Sequence, residues 1–331
     1  MLNAAIVGLG WWGSTIVRML QGSDKIRIAL ATDIDPQGSA KAVALGVPFR
    51  PSFHELLADD TIEAVILCTP HALHAEQIVE AASAGKHVFC EKPLTLTRAD
   101  AVRAVAACRD RKRILGVGHE RRFEPPLLEM RRLAQSGALG ALLQLEANFS
   151  QDKFLQLDPA NWRLSAKDAP AGPMTATGIH LLDFAVSLFG KPKTALCHVR
   201  QLDSPLANGD TLTALIGFES GADALVSAIL TTPFDGRIAL YGSKGWVDVR
   251  DKAHVEAPEG WTLTKSLRGE GKTVTDYPTA LAVRANIEAF ADAAMGRAPY
   301  PVSPDEMVAT IATLEACVTS AKSGKIEPIT V

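Results

Sequence analysis

The chain has no long apolar run, no surplus of basic charge and no paired cysteines, and each absence excludes a class of protein. A membrane-spanning helix needs about 18 or more consecutive apolar residues, and the sequence contains no such stretch. The 331 residues carry 34 Lys and Arg against 37 Asp and Glu, and the net charge of −3 leaves no excess of cations for a phosphate backbone. We therefore expect neither a membrane nor a nucleic acid as a partner.

The cysteines are an odd number without CxxC spacing: Cys68, Cys90, Cys108, Cys197 and Cys317. This pattern argues against a disulfide framework and against a zinc site, and it is typical of a reducing compartment. The N-terminus has no basic segment ahead of its first apolar run, so a secretory signal is not expected either. These absences predict a cytoplasmic location and no bound metal.

The first 120 residues instead contain a regular alternation of two patterns. Short apolar segments of strand length occupy residues 4–7, 27–31, 64–68, 87–89 and 114–117. Apolar residues at helical spacing occupy residues 13–19, 36–45, 74–84 and 98–110. Because such alternation builds a parallel sheet with helices on both faces, residues 1–120 are predicted to form an α/β domain with a doubly wound parallel sheet.

After residue 120 the regular alternation of strand-like and helix-like segments ends. Helices are predicted over residues 126–136, 179–189, 281–295 and 306–321, a strand over 142–148 and an irregular stretch over 151–173. Residues 194–249 read as strands separated by turn signals such as Asn208-Gly209. Hairpin-linked strands pair antiparallel, so residues 121–331 are predicted to form an α+β domain with a mostly antiparallel, open sheet.

A glycine motif follows the first predicted strand directly. Gly8, Gly10 and Gly13 form GxGxxG at the start of the first helix, where the turn lets a helix N-terminus approach a pyrophosphate. Asp33 follows Gly13 by 20 residues, at the end of the second strand, where an acid accepts hydrogen bonds from the adenosine ribose. The first domain is therefore predicted to be a Rossmann domain that binds a dinucleotide.

The residues around this motif favour NAD over NADP. The Asp33 carboxylate would repel a 2′-phosphate, Ile34 brings no cation, and Asp35 adds a second negative charge. The alternative is that Asp33 only caps the following helix. Trp11 and Trp12 either flank the cofactor or pack against the first helix.

Further motifs occur in a fixed order along the chain and resemble the glucose-fructose oxidoreductase, inositol dehydrogenase and rhizopine-catabolism (Gfo/Idh/MocA) family. They are GxGxxG, TPxxxH from Thr69 and Pro70 to His74, AGKHVxxEKP ending in Glu91-Lys92-Pro93, Arg122-Phe123, Trp162-Arg163, and GIHLLD from Gly178 to Asp183. The resemblance implies an oxidoreductase with a nicotinamide cofactor.

Lys92 is the candidate for the group that polarises the substrate oxygen. At the carboxyl end of a strand, an ammonium can stabilise the alkoxide that develops as hydride leaves carbon. The alternative is a surface lysine at a turn. The resemblance implies that Lys92 contacts the nicotinamide ribose and the substrate, that Glu91 supports the cofactor site and that a cis bond precedes Pro93. It also implies that further residues of the motifs line the cofactor site: Thr69, Pro70, His74, Trp162 and Arg163.

His180 and Asp183 lie three residues apart on a predicted helix and therefore share a face. An imidazole titrates near neutrality, which suits a group that takes or gives a hydroxyl proton. His180 is predicted to be this acid/base, and Asp183 either orients the ring or binds a substrate hydroxyl. The alternative is a structural histidine with an ion-pair partner on its helix.

Ala176 departs from the family pattern, because many members carry an aspartate four residues before the histidine. The sequence leaves three alternatives for proton transfer. In the first, His180 acts with Lys92 alone; in the second, Thr175 or Thr177 orders a water beside it; in the third, the activity differs from that of the family.

The sequence allows two roles for each of two other residues, Glu120 and Arg163. Glu120 either faces the substrate, which would favour a polyol, or forms a salt bridge with Arg121 or Arg122. Arg163, together with the lysines of residues 151–173, either binds a substrate carboxylate or belongs to a solvated stretch.

The sequence thus predicts hydride transfer between NAD and a carbinol or carbonyl carbon of a sugar, cyclitol or related cyclic diol. We expect a pocket between the domains, walled by residues 151–163 and by the helix from Ile179. The alternative from another class is a non-catalytic NAD-binding sensor, as in the fungal galactose-pathway repressor that resembles this family, and Ala176 favours it. The resemblance also implies a homodimer or homotetramer through the sheet of the second domain.

Overall fold

The computed structural model describes residues 1–254 and 257–331. The chain forms two compact units, Met1–Glu120 with Leu281–Val308, and Arg121–Ala280 with Ala309–Val331. In the described part of the chain, no helix is both long enough and apolar enough to cross a bilayer.

The strands are β1 (Leu2–Val7), β2 (Ile26–Thr32), β3 (Ala64–Leu67), β4 (His87–Cys90), β5 (Leu115–Val117), β6 (Leu142–Ser150), β7 (Pro192–Arg200), β8 (Thr211–Phe218), β9 (Asp223–Ile229), β10 (Asp235–Gly242), β11 (Gly245–Asp251), β12 (Trp261–Leu267), β13 (Lys272–Tyr277) and β14 (Glu327–Pro328). The α-helices are α1 (Trp11–Met19), α2 (Gly38–Ala44), α3 (Phe53–Leu57), α4 (His74–Ser83), α5 (Arg98–Asp110), α6 (Pro125–Gln135), α7 (Ile179–Phe189), α8 (Ala282–Ala294) and α9 (Pro304–Ser323).

The first unit is built on a five-stranded parallel sheet with the order β2-β1-β3-β4-β5. Strand β3 is buried along its whole length, as expected for a parallel sheet covered on both faces. The direction in which successive strands are added to the sheet reverses between β1 and β3. In open α/β sheets, ligands bind at such a point, beyond the carboxyl ends of the strands. The predicted doubly wound parallel sheet is confirmed.

The second unit is built on a nine-stranded sheet with the order β13-β12-β11-β10-β6-β9-β8-β7-β14. Neighbouring strands run antiparallel except for the parallel pair β6 and β9. Burial alternates along β8, where Leu212, Ala214 and Ile216 are buried and Leu215 is exposed, so one face of the sheet is covered and the other is open. The predicted mostly antiparallel, open sheet is confirmed.

The division of the chain differs from the predicted boundaries of 1–120 and 121–331, because residues 281–308 belong to the first unit. The ring of Phe290 on α8 meets the ring of Phe89 on β4 edge-on, with centroids 5.6 Å apart. Gly116 on β5 makes room for both rings, since a Cβ there would lie 2.8 Å from Phe89 and 2.9 Å from Phe290. The first sheet thus buries one face against a helix that follows the second sheet in sequence.

Candidate active site

The glycine loop lies between the ends of β1 and β3. Gly8 adopts φ +95°, and a Cβ there would lie 2.8 Å from the carbonyl oxygen of Cys68. A Cβ on Gly13 would lie 1.9 Å from the Gly8 carbonyl oxygen, so α1 packs too closely for any larger residue. Gly10 is the N-cap of α1, and within the described residues no side chain caps this end. The first N–H groups of α1 can therefore hold a pyrophosphate, and the cradle fits a dinucleotide.

The Asp33 carboxylate ties this loop to the end of β2. One oxygen accepts the Leu9 N–H at 2.5 Å, and the other accepts the Asp35 N–H at 2.8 Å. Helix α2 begins at Gly38 without a side-chain cap, so the alternative that Asp33 caps it is wrong. Each carboxylate oxygen keeps a second lone pair, with which it can accept a ribose hydroxyl.

A lysine that the sequence analysis did not consider lies beside the second acid. Lys41 Nζ is 2.6 Å from Asp35 Oδ2, and this hydrogen bond lowers the pKa of Asp35 below its ordinary value. Its position on the first turns of α2, six residues after Asp35, was the available signal. The negative charge of Asp35 is thus partly neutralised, which weakens its expected contribution against a 2′-phosphate.

Trp11 and Trp12 begin α1, with ring centroids 5.3 Å apart. Trp11 is 58% exposed, whereas the indole nitrogen of Trp12 is buried and has no hydrogen-bond partner among the described residues. Trp12 therefore packs against the protein, and Trp11 stands open beside the N-terminus of α1.

His74 lies in the interior rather than at the surface of the cofactor cradle. Its Nδ1 is 2.9 Å from the carbonyl oxygen of Pro93 and its Nε2 is 3.0 Å from that of Thr69. Burial lowers the pKa of this imidazole below its ordinary value. The ring therefore joins the Thr69-Pro70 loop after β3 to the loop after β4.

The Glu91-Lys92-Pro93 segment follows β4, and its Lys92–Pro93 bond is cis, as predicted. Glu91 is buried, and its carboxylate accepts the Lys92 N–H at 3.2 Å. A Cβ on Gly118 would lie 2.6 Å from both carboxylate oxygens, so Glu91 lies directly over the backbone at the end of β5. The half-buried Lys92 is held at the same edge of the sheet as the glycine loop.

The turn after β5 contains buried charges. Glu120 is buried, and the two arginines that follow it form ion pairs within the second unit. Arg121 donates to both oxygens of Asp251, at 2.9 and 2.8 Å, and to Glu124 at 3.3 Å. Arg122 pairs with Asp183. Asp251 was not anticipated, because nothing in its local sequence links it to residue 121.

A π-helical turn, Met174–Gly178, leads into α7. Thr175 and Thr177 donate their hydroxyl protons to the carbonyl oxygens of Gly172 and Pro173, at 3.2 and 3.3 Å. Both hydroxyls therefore keep only acceptor capacity, so the expected ordering of a water there would have to use their lone pairs.

Helix α7 is buried on all sides along its first two turns. His180 is 4% exposed, and its ring centroid lies 6.1 Å from that of Phe149. Both oxygens of Asp183 accept from Arg122, at 2.5 and 2.7 Å. Because both oxygens serve a buried ion pair, the predicted hydrogen bond from a substrate hydroxyl would have to use their remaining lone pairs.

An aromatic cluster surrounds Phe149 at the end of β6. Phe234 and His254 lie with ring centroids 6.1 and 5.8 Å from it, and the Arg121 guanidinium lies 5.1 Å from its centroid. Lys153 Nζ is 2.9 Å from His254 Nδ1. Phe149, Phe234 and His254 belong to no motif, so sequence reasoning had no signal for this cluster.

Trp162 and Arg163 form a short 3₁₀ turn in the irregular stretch. The Arg163 guanidinium lies 4.3 Å from the Trp162 ring centroid, and the Asn161 side chain accepts the Arg163 N–H. Asn208, which the sequence marked only as a turn residue, donates to the carbonyl oxygens of Arg163 and Ala169 at 2.8 and 2.9 Å. The stretch is therefore tied to the β7–β8 connection.

Within the described ranges, no group of three or more His, Cys, Asp and Glu side chains is placed to hold a metal ion.

Comparison with known proteins gives matches along most of the chain. Residues 2–119 match the family model described as an oxidoreductase family with an NAD-binding Rossmann fold, and residues 127–248 match the GFO/IDH/MocA C-terminal domain. A D-xylose 1-dehydrogenase (NADP(+)) of Haloferax volcanii is 28% identical over 326 residues, which cover 98% of this chain and 97% of that protein. An inositol 2-dehydrogenase of Gluconacetobacter diazotrophicus is 27% identical over 352 residues, covering 99% and 96%.

Among solved structures, an aldose-aldose oxidoreductase from Caulobacter crescentus in complex with glycerol superimposes with a TM-score of 0.86 at 25% identity, and 99% of each chain is covered. The resemblance predicted from the ordered motifs is confirmed by these matches to both halves of the protein. With its Rossmann cradle and its open-sheet second unit, the chain belongs to the Gfo/Idh/MocA family of NAD-binding oxidoreductases.

Proposed function

We propose that the protein transfers a hydride between a nicotinamide cofactor and the carbinol or carbonyl carbon of a sugar, a cyclitol or a related cyclic diol. The observation that carries this proposal is the location of the glycine loop and of Lys92 at the same, carboxyl edge of one parallel sheet. The named activities of the xylose and inositol dehydrogenases support the substrate class. In this class of reaction the enzyme acts on CH–OH groups.

The nicotinamide, when bound, accepts or supplies the hydride. The Lys92 ammonium hydrogen-bonds the substrate oxygen and stabilises the negative charge that develops there as the C–H bond breaks. A ring nitrogen of His180 takes the hydroxyl proton during oxidation and returns it during reduction. The Glu91 carboxylate, which lies over Gly118 and accepts the Lys92 N–H, orients the backbone that carries Lys92.

Proton transfer at His180 takes place without a carboxylate at position 176, where this chain has alanine. Arg122 engages both oxygens of Asp183, so a hydrogen bond from a substrate hydroxyl to Asp183 would use their remaining lone pairs. In our proposal, Glu120, Arg163 and Thr177 contribute to substrate binding, and Trp11, Trp162 and Arg163 line the cofactor site. These assignments rest on the family resemblance and on the polarity of the side chains.

The cofactor in this proposal is NAD. The Asp33 carboxylate stands where an adenosine ribose would be recognised, and its charge disfavours a 2′-phosphate. The xylose dehydrogenase relative carries NADP in its name, and Lys41 neutralises part of the charge of Asp35. Asp33 is therefore the residue on which the preference depends.

The protein assembles, in our proposal, as a homodimer or homotetramer in the cytoplasm. The open face of the nine-stranded sheet supports this, because Leu215 and Leu225 are exposed there and lie opposite each other on neighbouring strands. A groove of about 440 Å³ on this face is lined in part by Leu215 and Leu225. Sedimentation equilibrium of the wild type and of Leu215→Arg distinguishes a monomer from an assembly through this face.

The decisive experiment is reduction of NAD and of NADP by the purified protein, followed by the absorbance of the reduced nicotinamide. The substrate panel contains neutral sugars, cyclitols, sugar acids and cyclic dihydrodiols. We expect a signal with NAD that falls by orders of magnitude in Lys92→Met, while the affinity for NADH is kept. Normal turnover in that variant would show that the role given to Lys92 is wrong.

A second candidate is a non-catalytic NAD-binding sensor, favoured by Ala176. A wild-type protein that binds NADH and also binds a sugar or cyclitol, but reduces no cofactor with any member of the panel, would support the sensor over the enzyme.

A further inference from the structure

We propose that β13, the edge strand of the nine-stranded sheet, pairs antiparallel with β13 of a second copy of this chain. The segment that makes this contact is Lys272-Thr273-Val274-Thr275-Asp276, whose charges complement those of its own copy. The contact is separate from the proposed reaction and from assembly through the open face of the sheet. It joins two sheets edge to edge.

Strand β13 is hydrogen-bonded along one side only. It pairs with β12 and is the last strand in the order of its sheet, so the backbone N–H and C=O groups of its outer side point away from the sheet. Residues 272–276 are all exposed, and Val274 is 62% exposed. Such an edge is a template on which another strand can pair.

The opposite edge of the same sheet is protected, which makes the exposure of β13 informative. That edge ends in β14, which is only two residues long and contains Pro328, a residue without an N–H group. Strand β13 has six residues, no proline, and a centre of valine and threonine, which favour strands. The two edges therefore differ in their capacity to pair.

The segment is self-complementary about a two-fold axis at Val274. Antiparallel pairing about this axis places Lys272 opposite Asp276 of the second copy and, by symmetry, Asp276 opposite the Lys272 of the second copy. Thr273 meets Thr275 in the same way. Opposite charges and threonine pairs that face each other across an antiparallel pair stabilise it.

A lysine on an edge strand commonly discourages pairing with other chains. Here the aspartate four residues later supplies the lysine with a partner of opposite charge. Parallel, in-register pairing would instead place Lys272 opposite Lys272 and Asp276 opposite Asp276, which is unfavourable. The charge pattern therefore selects the antiparallel pairing of two copies.

The register with β12 places both charges on the same face of the sheet. Leu263 on β12 is buried and pairs with Thr275, so Thr275 lies on the covered face. Because side chains alternate along a strand, Lys272, Val274 and Asp276 lie on the open face. In the joined sheet the lysine of one copy and the aspartate of the other therefore meet on one side.

Both charged groups keep the capacity for this contact. The Lys252 ammonium and the Thr262 hydroxyl both donate to Asp276 Oδ1, at 2.7 and 2.9 Å, so Oδ2 can accept a further donor. The hydrogen bond from Lys252 lowers the pKa of Asp276, which keeps the carboxylate ionised at neutral pH. Lys272 Nζ lies 5.9 Å from the Trp246 ring centroid, a contact that uses the ring face and no acceptor oxygen.

Charge reversal tests this register, because it turns both ion pairs into like-charge pairs. In a pair of Lys272→Asp chains, acidic side chains face each other at both ends of the segment, and in a pair of Asp276→Lys chains, basic ones do. Each variant should raise the dissociation constant of the contact at least about tenfold. An equimolar mixture of the two should assemble again, because the acidic segment of one then faces the basic segment of the other.

Sedimentation equilibrium over a range of concentrations measures the oligomeric state. Lys193→Asp is the matched control, because it reverses an exposed lysine on β7, near the opposite edge of the sheet, and it should change nothing. A Leu215→Arg background blocks the open face, so the edge contact is measured alone. In that background we expect a concentration-dependent dimer that becomes a monomer when Lys272→Asp is added.

The mixture excludes misfolding as the cause of dissociation, since misfolded chains would not assemble on mixing. The edge contact is overturned if both charge reversals keep the wild-type state, if their mixture stays dissociated, or if Leu215→Arg alone is a monomer at every concentration. Assembly that survives Leu215→Arg unchanged but is lost in Lys272→Asp supports the edge contact and overturns assembly through the open face.

Discussion

Both carboxylate oxygens of Asp183 accept hydrogen bonds from the Arg122 guanidinium, at 2.5 and 2.7 Å, and both side chains are 1% exposed. Arg122 lies in the turn after β5, and Asp183 lies one turn beyond His180 on α7. The ion pair therefore ties the helix of the proposed proton carrier to the segment that follows the Rossmann sheet in sequence.

Removing one member of this pair should be costly. Arg122→Met leaves the Asp183 carboxylate buried without its guanidinium, and we expect the free energy of unfolding to fall by about 3–5 kcal/mol. Urea denaturation of the two proteins measures the difference. The control is Arg132→Met, because Arg132 makes a similarly close bidentate pair with Glu129 at the surface, where solvent weakens the attraction and little change is expected. Equal losses in both variants would contradict a special role for burial.

Asp210 should make stability depend on pH. Burial alone would raise the pKa of this carboxyl, but backbone N–H groups of Asp203, Leu202 and Ser204 donate to it and hold the pKa well below its usual range. Because the folded-state pKa lies below the unfolded one, the ionised carboxylate stabilises the fold above the unfolded pKa. This stabilisation is lost as the pH falls through the folded-state pKa.

We therefore expect Asp210→Asn to lower the free energy of unfolding by about 1–3 kcal/mol at pH 7. The difference from the wild type should shrink once the pH falls below about 4. Urea titrations from pH 7 to pH 3 measure it. Asp203→Asn, in the same turn but exposed, is the control and should show little change. A constant difference across the whole pH range would assign the effect to geometry rather than to charge.

Tyr300 and Asn286 close the edge of the parallel sheet. Tyr300 Oη accepts the Val117 N–H at 3.2 Å and donates to Asn286 Oδ1 at 2.6 Å. Asn286 Nδ2 in turn donates to the Val117 carbonyl oxygen at 2.9 Å. These side chains take the place of a further strand beside β5. Tyr300→Phe should lower the free energy of unfolding by about 1–3 kcal/mol, because the Val117 N–H and Asn286 Oδ1 both lose their partner.

The local readout of this change is hydrogen exchange at the Val117 amide, which should become faster in Tyr300→Phe. Tyr277→Phe is the control, since Tyr277 lies on the edge strand β13 of the other sheet. Unchanged exchange at Val117 would show that the hydroxyl does not protect this edge.

Asp33 should decide which dinucleotide is preferred. Asp33→Ser removes the charge that repels a 2′-phosphate, so the ratio of kcat/KM for NAD to that for NADP should fall at least about tenfold. The ratio is the relevant quantity, because Asp33 also holds the Leu9 N–H and both affinities will change. Asp35→Asn is the control, and its charge is already paired with Lys41. A ratio that does not respond to Asp33→Ser would place the selectivity elsewhere.

Local pattern alone was sufficient for most elements. Helix α5 occupies the predicted residues, Arg98–Asp110, and the other strands and helices predicted in the first 120 residues agree with the structure to within a few residues. Helix α3 was missed because five residues are too few to show a helical period. Its signal was the N-cap residue Ser52, which accepts the Glu55 N–H and also donates to the Glu55 carboxylate.

The sequence by itself determined the two sheet types, the glycine cradle, and the location of Lys92 at the carboxyl edge of the first sheet. These features follow from the spacing of apolar residues and from motifs whose parts lie close together in the chain. For Asp183, the sequence predicted the local structure but not the ion-pair partner. Its helix was predicted correctly, but its partner Arg122 lies 61 positions earlier and could not be identified from spacing.

Only the tertiary structure decided the other long-range partners. Lys153 meets His254 across 101 positions, Arg121 meets Asp251 across 130, and Tyr300 meets Val117 across 183. A periodic pattern states which side of an element is buried, but it does not state which element covers that side. That choice depends on strand order and on the return of α8 to the first sheet, because each brings side chains from separate parts of the sequence against one another.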